Sequence, residues 1–244
     1  MRENPYDKLS FFQKYSQMDR SVYGLEGAGE WPALQKLLPD FTGKRVLDLG
    51  CGFGWHCRYA AQQGAASVLG VDLSQKMLEK AEEMTESSVI QYRRMAIEDI
   101  DFPPASFDVV VSSLALHYVA SFREICQKVH ACLEKGGSFV FSTEHPVFTA
   151  QGPQQWYCDS EGNKLHWPVD RYFQEGERKA VFLGEVMTKY HRTLTTFVTE
   201  LLASGFVLTG FAEPQPLPEL VEKVAGMEDE LRRPMMAIFA AKKA

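Results

Sequence analysis

The sequence predicts an α/β fold, a doubly wound and mostly parallel sheet with helices on both faces, on three observations. The apolar run Val46, Leu47 and Leu49, interrupted only by Asp48, suits a strand buried on both faces. It leads straight into Gly50-Cys51-Gly52-Phe53-Gly54, whose glycines let the backbone turn tightly and approach a ligand. Trp55 to Gln63 then lacks Pro and Gly and suits a helix, with its first N–H groups facing that ligand. Together these make a nucleotide-type binding corner.

A dinucleotide fingerprint, G-x-G-x-x-G, needs a third glycine where this chain has Trp55, with Gly54 one residue early. No Gly-Lys-Ser/Thr follows, which excludes a P-loop. Val46 to Gly54 instead resembles motif I of the class I S-adenosylmethionine (SAM)-dependent methyltransferases, which have a Rossmann-like fold. The resemblance implies that Asp48 lies near the amino group of the cofactor and that Gly50 and Gly52 lie beneath it. It further implies a seven-stranded sheet closed by a C-terminal antiparallel hairpin.

Composition bounds the reading. The length allows one sizeable domain, with 1–44 as an N-terminal helical cap, 45–146 as the cofactor-binding core, 147–190 as an inserted substrate lid, and 191–244 as the C-terminal helix and closing strands. No run of 18 apolar residues occurs, and Met1 to Pro5 lacks an apolar signal core, so the expectation is a cytoplasmic protein that does not engage a membrane. The five cysteines form no C-x-x-C pair and read as reduced structural thiols without a metal site. A net charge of -6 gives no footprint for nucleic acid and favours a small-molecule partner; the oligomeric state is not legible.

Taken in order, Phe11, Phe12, Tyr15 and Met18 recur at helical spacing before Gly24, Gly27 and Gly29 interrupt them. This helix either packs on the main body or covers the cleft with Tyr15 over the cofactor, as the resemblance implies. Trp31 to Leu38 suits a second helix ended by Pro39. Ser67 to Asp72 reads as the second strand. Asp72 at its carboxyl end can accept both hydroxyls of a ribose, while Ser74 caps the next helix, which carries Met77, Leu78, Ala81 and Met84 on one face. Val89 to Tyr92 reads as the third strand. The family's adenine loop would follow at Ile97 and Glu98, although the usual aspartate position holds Ala96. The resemblance places Leu73, Met77, Ser113 and Leu114 around the cofactor as well.

Phe107 to Val111 is a β-branched fourth strand, and its following loop carries His117, a candidate proton acceptor. Phe122, Ile125, Val129 and Leu133 form a helical stripe stopped at Glu134-Lys135-Gly136-Gly137. The fifth strand, Ser138 to Ser142, leads to Glu144 and His145, candidate acceptor contacts. Residues 147–190 hold Trp156, Tyr157, Trp167, Tyr172, Phe173, Phe182 and Tyr190 in an irregular stretch, where a planar or apolar acceptor could stack. His191 and Arg192 begin a helix bearing Leu194, Phe197, Val198, Leu201 and Leu202, with His191 a further substrate candidate. Phe206 to Phe211 and Met235 to Ala241 read as strands, with a helix over Glu219 to Val224 between them.

The expected activity is therefore transfer of a methyl group from SAM, leaving S-adenosylhomocysteine (SAH), to an N, O or C atom of a small molecule by in-line displacement. His117 or His145 would serve as base only where the acceptor retains a proton. A non-catalytic SAM-binding protein is the competing reading. A nicotinamide oxidoreductase is opposed by Trp55 and by the lack of a second mononucleotide half.

Overall fold

The computed structural model describes residues 4–223 and 226–244. The expected helix end at Val224 and the first residues of the expected signal-free terminus, Met1 to Glu3, lie outside the described residues. Three helices come first: α1 (Leu9–Ser16), α2 (Asp19–Val22) and α3 (Trp31–Leu37). The alternating body follows as β1 (Arg45–Leu49), α4 (Trp55–Gln62), β2 (Ser67–Asp72), α5 (Gln75–Glu83), β3 (Ile90–Arg94), β4 (Phe107–Ser113), α6 (Phe122–Cys132) and β5 (Leu133–Glu144). After the short α7 (Pro146–Thr149) come β6 (Tyr157–Cys158), β7 (Lys164–His166), β8 (Gly176–Phe182) and β9 (Glu185–His191). The chain ends with α8 (Leu194–Ala203), β10 (Phe206–Ala212), α9 (Pro218–Lys223) and β11 (Met236–Lys243).

Seven strands form one sheet in the order β10-β11-β5-β4-β1-β2-β3. Strands β1 to β5 pair in parallel, whereas β11 runs antiparallel to both β5 and β10. This is the Rossmann-like sheet with the closing hairpin that the sequence led us to expect. Side chains alternate between its faces, as strand geometry requires. Val46, Val109 and Val111 join Cys57, Ala60 and Leu78 of α4 and α5, and Val140, Ile238 and Ala240 pack on Trp31 and Leu34 of α3. On the other face Leu47, Leu49, Val110, Phe139, Phe141 and Phe239 meet the apolar stripes of α6 and α8. Leu202, expected on the buried face of α8, is 52% exposed; Phe197 and Leu201 alone of that helix are fully buried. Because β1 sends its neighbours in opposite directions, a crevice opens at the carboxyl ends of β1 and β4.

Two stretches depart from the expected elements. Strand β5 begins at Leu133 rather than Ser138: Phe107 pairs with Leu133 and Val109 with Ser138, so Glu134 to Gly137 bulge out between them, with Gly136 at φ +75°. The expected irregular stretch between β5 and α8 contains two hairpins. In β8–β9, Phe182 pairs with Glu185 across a two-residue loop in which Leu183 and Gly184 both have positive φ, a type I′ arrangement that favours Asn-Gly and so hides behind Leu. No helix among the described residues is long and apolar enough to cross a membrane. Among them all five cysteines are free thiols, four buried and Cys158 exposed.

Candidate active site

The loop after β1 forms the floor of a cavity of about 720 Å³ at the crevice. Gly50 and Gly52 take φ of +76° and +52°, in the left-handed region. A Cβ on Gly50 would strike Ala115 at 2.5 Å, whereas one on Gly52 would meet nothing, so Gly52 presents bare backbone to the space above it. Asp72, at the end of β2, lines the same cavity and ties the turn together. Its Oδ2 accepts from Gly52 N at 2.9 Å and its Oδ1 from Ser74 N at 2.8 Å. Burial pushes the Asp72 carboxyl up, against those two N–H donors. Each of its oxygens keeps a lone pair for a further donor.

Leu73, Met77, Ile97 and Glu98 line one end of the cavity, with Ala96 beside them. Ser113, Leu114 and Tyr15 line it further along. Leu114 is held at φ +51° with its N–H bound to Ser142 O at 3.0 Å, an unusual conformation for a branched residue of the kind that clusters at functional loops. Ser142 Oγ donates to Ser113 Oγ, which donates to Glu30 Oε1 at 3.2 Å. Asp48 does not reach the cavity. It is 1% exposed beneath the turn, with Oδ2 accepting from the Cys57 thiol at 3.3 Å and Oδ1 unpartnered, and burial lifts its pKa to about 7.

The other end is built from four separate parts of the chain. His117 is buried, and its Nδ1 accepts from Glu144 N at 3.4 Å. Because a backbone amide can only donate, the neutral ring carries its proton on Nε2. Burial holds the His117 pKa down at about 4 despite the nearby Glu144 carboxylate. Glu144 Oε1 receives Lys189 Nζ of β9 at 2.5 Å, and Gln154 bridges the pair, donating to Glu144 Oε2 at 2.9 Å and accepting from Lys189 at 3.0 Å. Burial raises the Glu144 carboxyl, but His117, Lys189 and Gln154 outweigh it and keep it below the usual glutamate value. Tyr6 and Tyr118 join hydroxyls at 3.3 Å, and Phe148 and Phe182 complete the wall. Arg192, buried at the entry to α8, donates to the carbonyls of Leu116, Val119 and Ala120 and so fixes the loop that presents His117.

Two of the expected acceptor contacts lie elsewhere. His145 caps α7, accepting from Val147 N at 3.0 Å through Nδ1, with Nε2 2.8 Å from Glu213, and it does not line the cavity. His191 is buried between Thr149 Oγ1 at 2.7 Å and Tyr172 O at 2.8 Å. The aromatic-rich segment was expected to offer an acceptor a stacking surface without any one ring being assigned; of its seven aromatics, Phe182 lines the cavity and the other six do not. Trp156 and Trp167 instead enclose the Arg233 guanidinium, 4.2 Å above the Trp167 ring. Arg20, Glu30, Tyr6, Gln154 and Lys189 were not singled out in the sequence. Arg20 follows Asp19, Glu30 stands between Gly29 and Trp31, and Lys189 between Thr188 and Tyr190, with no spacing that marks a site. Among the described residues no group of three or more His, Cys, Asp or Glu could hold a metal ion.

The methyltransferase domain family matches residues 47–141, the stretch that forms this floor. A Listeria monocytogenes structure assigned to the SAM-dependent methyltransferases is 57% identical, with TM-score 0.83 over 88% of this chain and 98% of its own. A SAM-dependent methyltransferase from Mesorhizobium loti is 44% identical, with TM-score 0.83 over 90% of this chain and all of its own. The chain belongs to the class I SAM-dependent methyltransferases. An uncharacterized protein of Haemophilus influenzae is 32% identical over 98% of this chain and 96% of its own. The family's cofactor is SAM, and this methyltransferase has a floor that suits it: open backbone at Gly52, a carboxylate with free lone pairs at Asp72, and apolar walls at Leu73, Met77 and Ile97.

Proposed function

We propose that this methyltransferase acts on a small molecule presenting an N, O or C nucleophile. The reading rests on one observation, the closure of the acceptor end. Tyr6 and Tyr15 from the N-terminal segment and Val181, Phe182 and Lys189 from β8–β9 stand over it, leaving a volume within the roughly 300–1,000 Å³ range of small-molecule sites. In this reading residues 1–44 act as a cap and 147–190 as a lid. Asp72 holds the ribose hydroxyls, Leu73, Met77 and the Ile97–Glu98 backbone hold the adenine, and Gly50, Gly52, Ser113 and Leu114 seat the remainder. Bound SAM supplies a methyl group on a sulfonium that leaves as a thioether when displaced in line. The chain then contributes alignment and exclusion of water.

His117 takes an orienting role. With Nδ1 occupied and its proton on Nε2, it donates a hydrogen bond to the acceptor rather than removing a proton. Glu144 and Lys189 form a neutral, mutually satisfied pair that can orient a polar substituent without adding net charge. The test is SAH release from SAM with panels of small hydroxy- and amino-arenes, aliphatic amines and, separately, RNA. Turnover confined to small molecules supports the reading, and turnover with RNA alone would overturn it. With an acceptor found, His117→Phe should lower kcat/KM at least about tenfold while the SAH Kd holds. The wild-type rate should show no limb near pH 6.5 from this ring.

A further inference from the structure

At the acceptor end of the cavity the polar side chains offer protons and withhold bases. His117 is 3% exposed, with Nδ1 filled by the Glu144 N–H and the ring proton on Nε2. Among the described residues nothing accepts from Nε2, yet it is not one of the wholly enclosed unpartnered atoms, so its N–H opens on the cavity. The Tyr118 hydroxyl accepts from Tyr6 and keeps its own proton for a further acceptor. Lys189 has three N–H donors, of which Glu144 and Gln154 take two. Gln154 stands at φ +54°, uncommon for a residue with a side chain, and its amide spans the other two from there.

The same contacts leave no base. Burial raises the Glu144 carboxyl, but His117, Lys189 and Gln154 oppose it and keep it below the usual glutamate value. Burial holds His117 down at about 4 and pushes the Tyr6 and Tyr118 phenols up. Of the other carboxylates along the cavity, Asp72 and Glu98 stand on the cofactor side, Glu30 is held by Arg20 and Ser113, and Asp19 is exposed. Positive charge stands behind the donors as well. Arg192 is 6% exposed and bonded only to backbone carbonyls among the described residues; Glu175, the carboxylate that bears on it, is engaged by Thr193 and Thr196.

We propose that the methyl acceptor is an oxyanion, the ionised carboxylate or phenol of a small apolar acid, received by His117, Tyr118 and Lys189. The proposal rests on the small-molecule reading above and narrows its nucleophile to oxygen. An anion is costly to bury unless donors meet it, and the three unshared donors do so. An amine suits this wall poorly, because its N–H groups need acceptors and its lone pair must stay free to attack. Phe148, Phe182, Met235 and Met236 supply apolar surface for the rest of the acid. In the transfer a lone pair of the acceptor oxygen forms the new oxygen–methyl bond, and the pair of the broken sulfur–methyl bond stays on sulfur. Oxyanion and sulfonium become an ester or ether and a thioether, with no proton for the protein to remove. Opposite charges attract more strongly away from water than in it, which favours this pairing over a neutral nucleophile.

The experiment is calorimetric titration of SAH-loaded protein with two matched pairs, para-nitrophenol against para-nitroaniline and benzoate against benzamide, at a pH where both acids are ionised. At least one anion should bind about tenfold more tightly than its neutral partner, and the pair that responds tells phenolate from carboxylate. Tyr118→Phe and Lys189→Gln should each weaken that anion about tenfold, while its neutral partner stays within about twofold and the SAH Kd holds. Melting curves establish folding, and Tyr118→Phe, which removes only a hydroxyl, stands if the lysine variant does not fold. Anions that bind no better than their neutral partners, or protein that binds none of the four, would overturn the proposal. With SAM in place of SAH, methylation of small amines alone would remove it and leave the small-molecule reading standing, whereas methylation of RNA alone would remove both.

Discussion

Asp48 lies buried beneath the turn, outside the cavity, and its surroundings dictate a pH dependence. Its folded pKa of about 7 lies well above the roughly 3.9 of an unfolded aspartate, so between these values the native state binds more protons than the unfolded one. Stability from this group is present below about pH 4 and is lost as pH rises through 7, by about 4 kcal/mol at most. Asp48→Asn should flatten that part of the profile in urea melts taken between pH 4 and 7, and an unchanged slope would show that another group carries it. The same residue shows how far single positions can be read in advance. The spacing of Asp72 from the glycines put it on the cavity floor, because topology alone fixes what lies at a strand's carboxyl end. Asp48, His145 and His191 have the right chemistry in the right neighbourhood, but strand phase and helix capping turn them inward. Arg20 and Glu30 become visible only when folding pairs them against Ser113.

At the scale of elements, the parallel strands and amphipathic helices were legible because their burial repeats with the period of the structure. The β8–β9 hairpin was not, since its turn has Leu183 where Asn, Asp or Gly is usual and its strands carry several charges. That hairpin is joined to the sheet by Lys189, whose amine and the Glu144 carboxylate are both nearly buried. Removing one partner leaves the other charge unpaired, typically a loss of 3–5 kcal/mol, whereas removing both is often nearly neutral. Lys189→Met should therefore destabilise the protein by about 3 kcal/mol in urea melts, and adding Glu144→Gln should recover most of it. If the double variant is no more stable than the single one, the loss comes from the Lys189 ammonium's contact with the Phe182 ring, 5.8 Å from its centroid, rather than from the stranded carboxylate.

Across the whole molecule, the crevice was predictable from strand order, but its closure depends on contacts between distant parts of the chain. The N-terminal segment is pinned from outside the sheet: Asp7 accepts from Ser74 Oγ at 2.6 Å and from Lys76 N at 3.1 Å, holding the first residues against α5. Tyr6, Tyr15 and Arg20 then reach into the cavity from above while Gly50 and Asp72 form its floor. A ligand filling that space touches both sides, so its binding energy should stabilise the fold and tighten the segment together. At a hundred times its Kd, SAH should add about 2.7 kcal/mol, which for a chain of this size raises Tm by roughly 5–11 °C. Hydrogen exchange should slow across Leu9–Val22 under the same conditions, more than in the remote β10–β11 hairpin. A rise in Tm with unchanged exchange in α1 and α2 would place the cap outside the binding equilibrium, and closure over the acceptor would then rest on the β8–β9 hairpin alone.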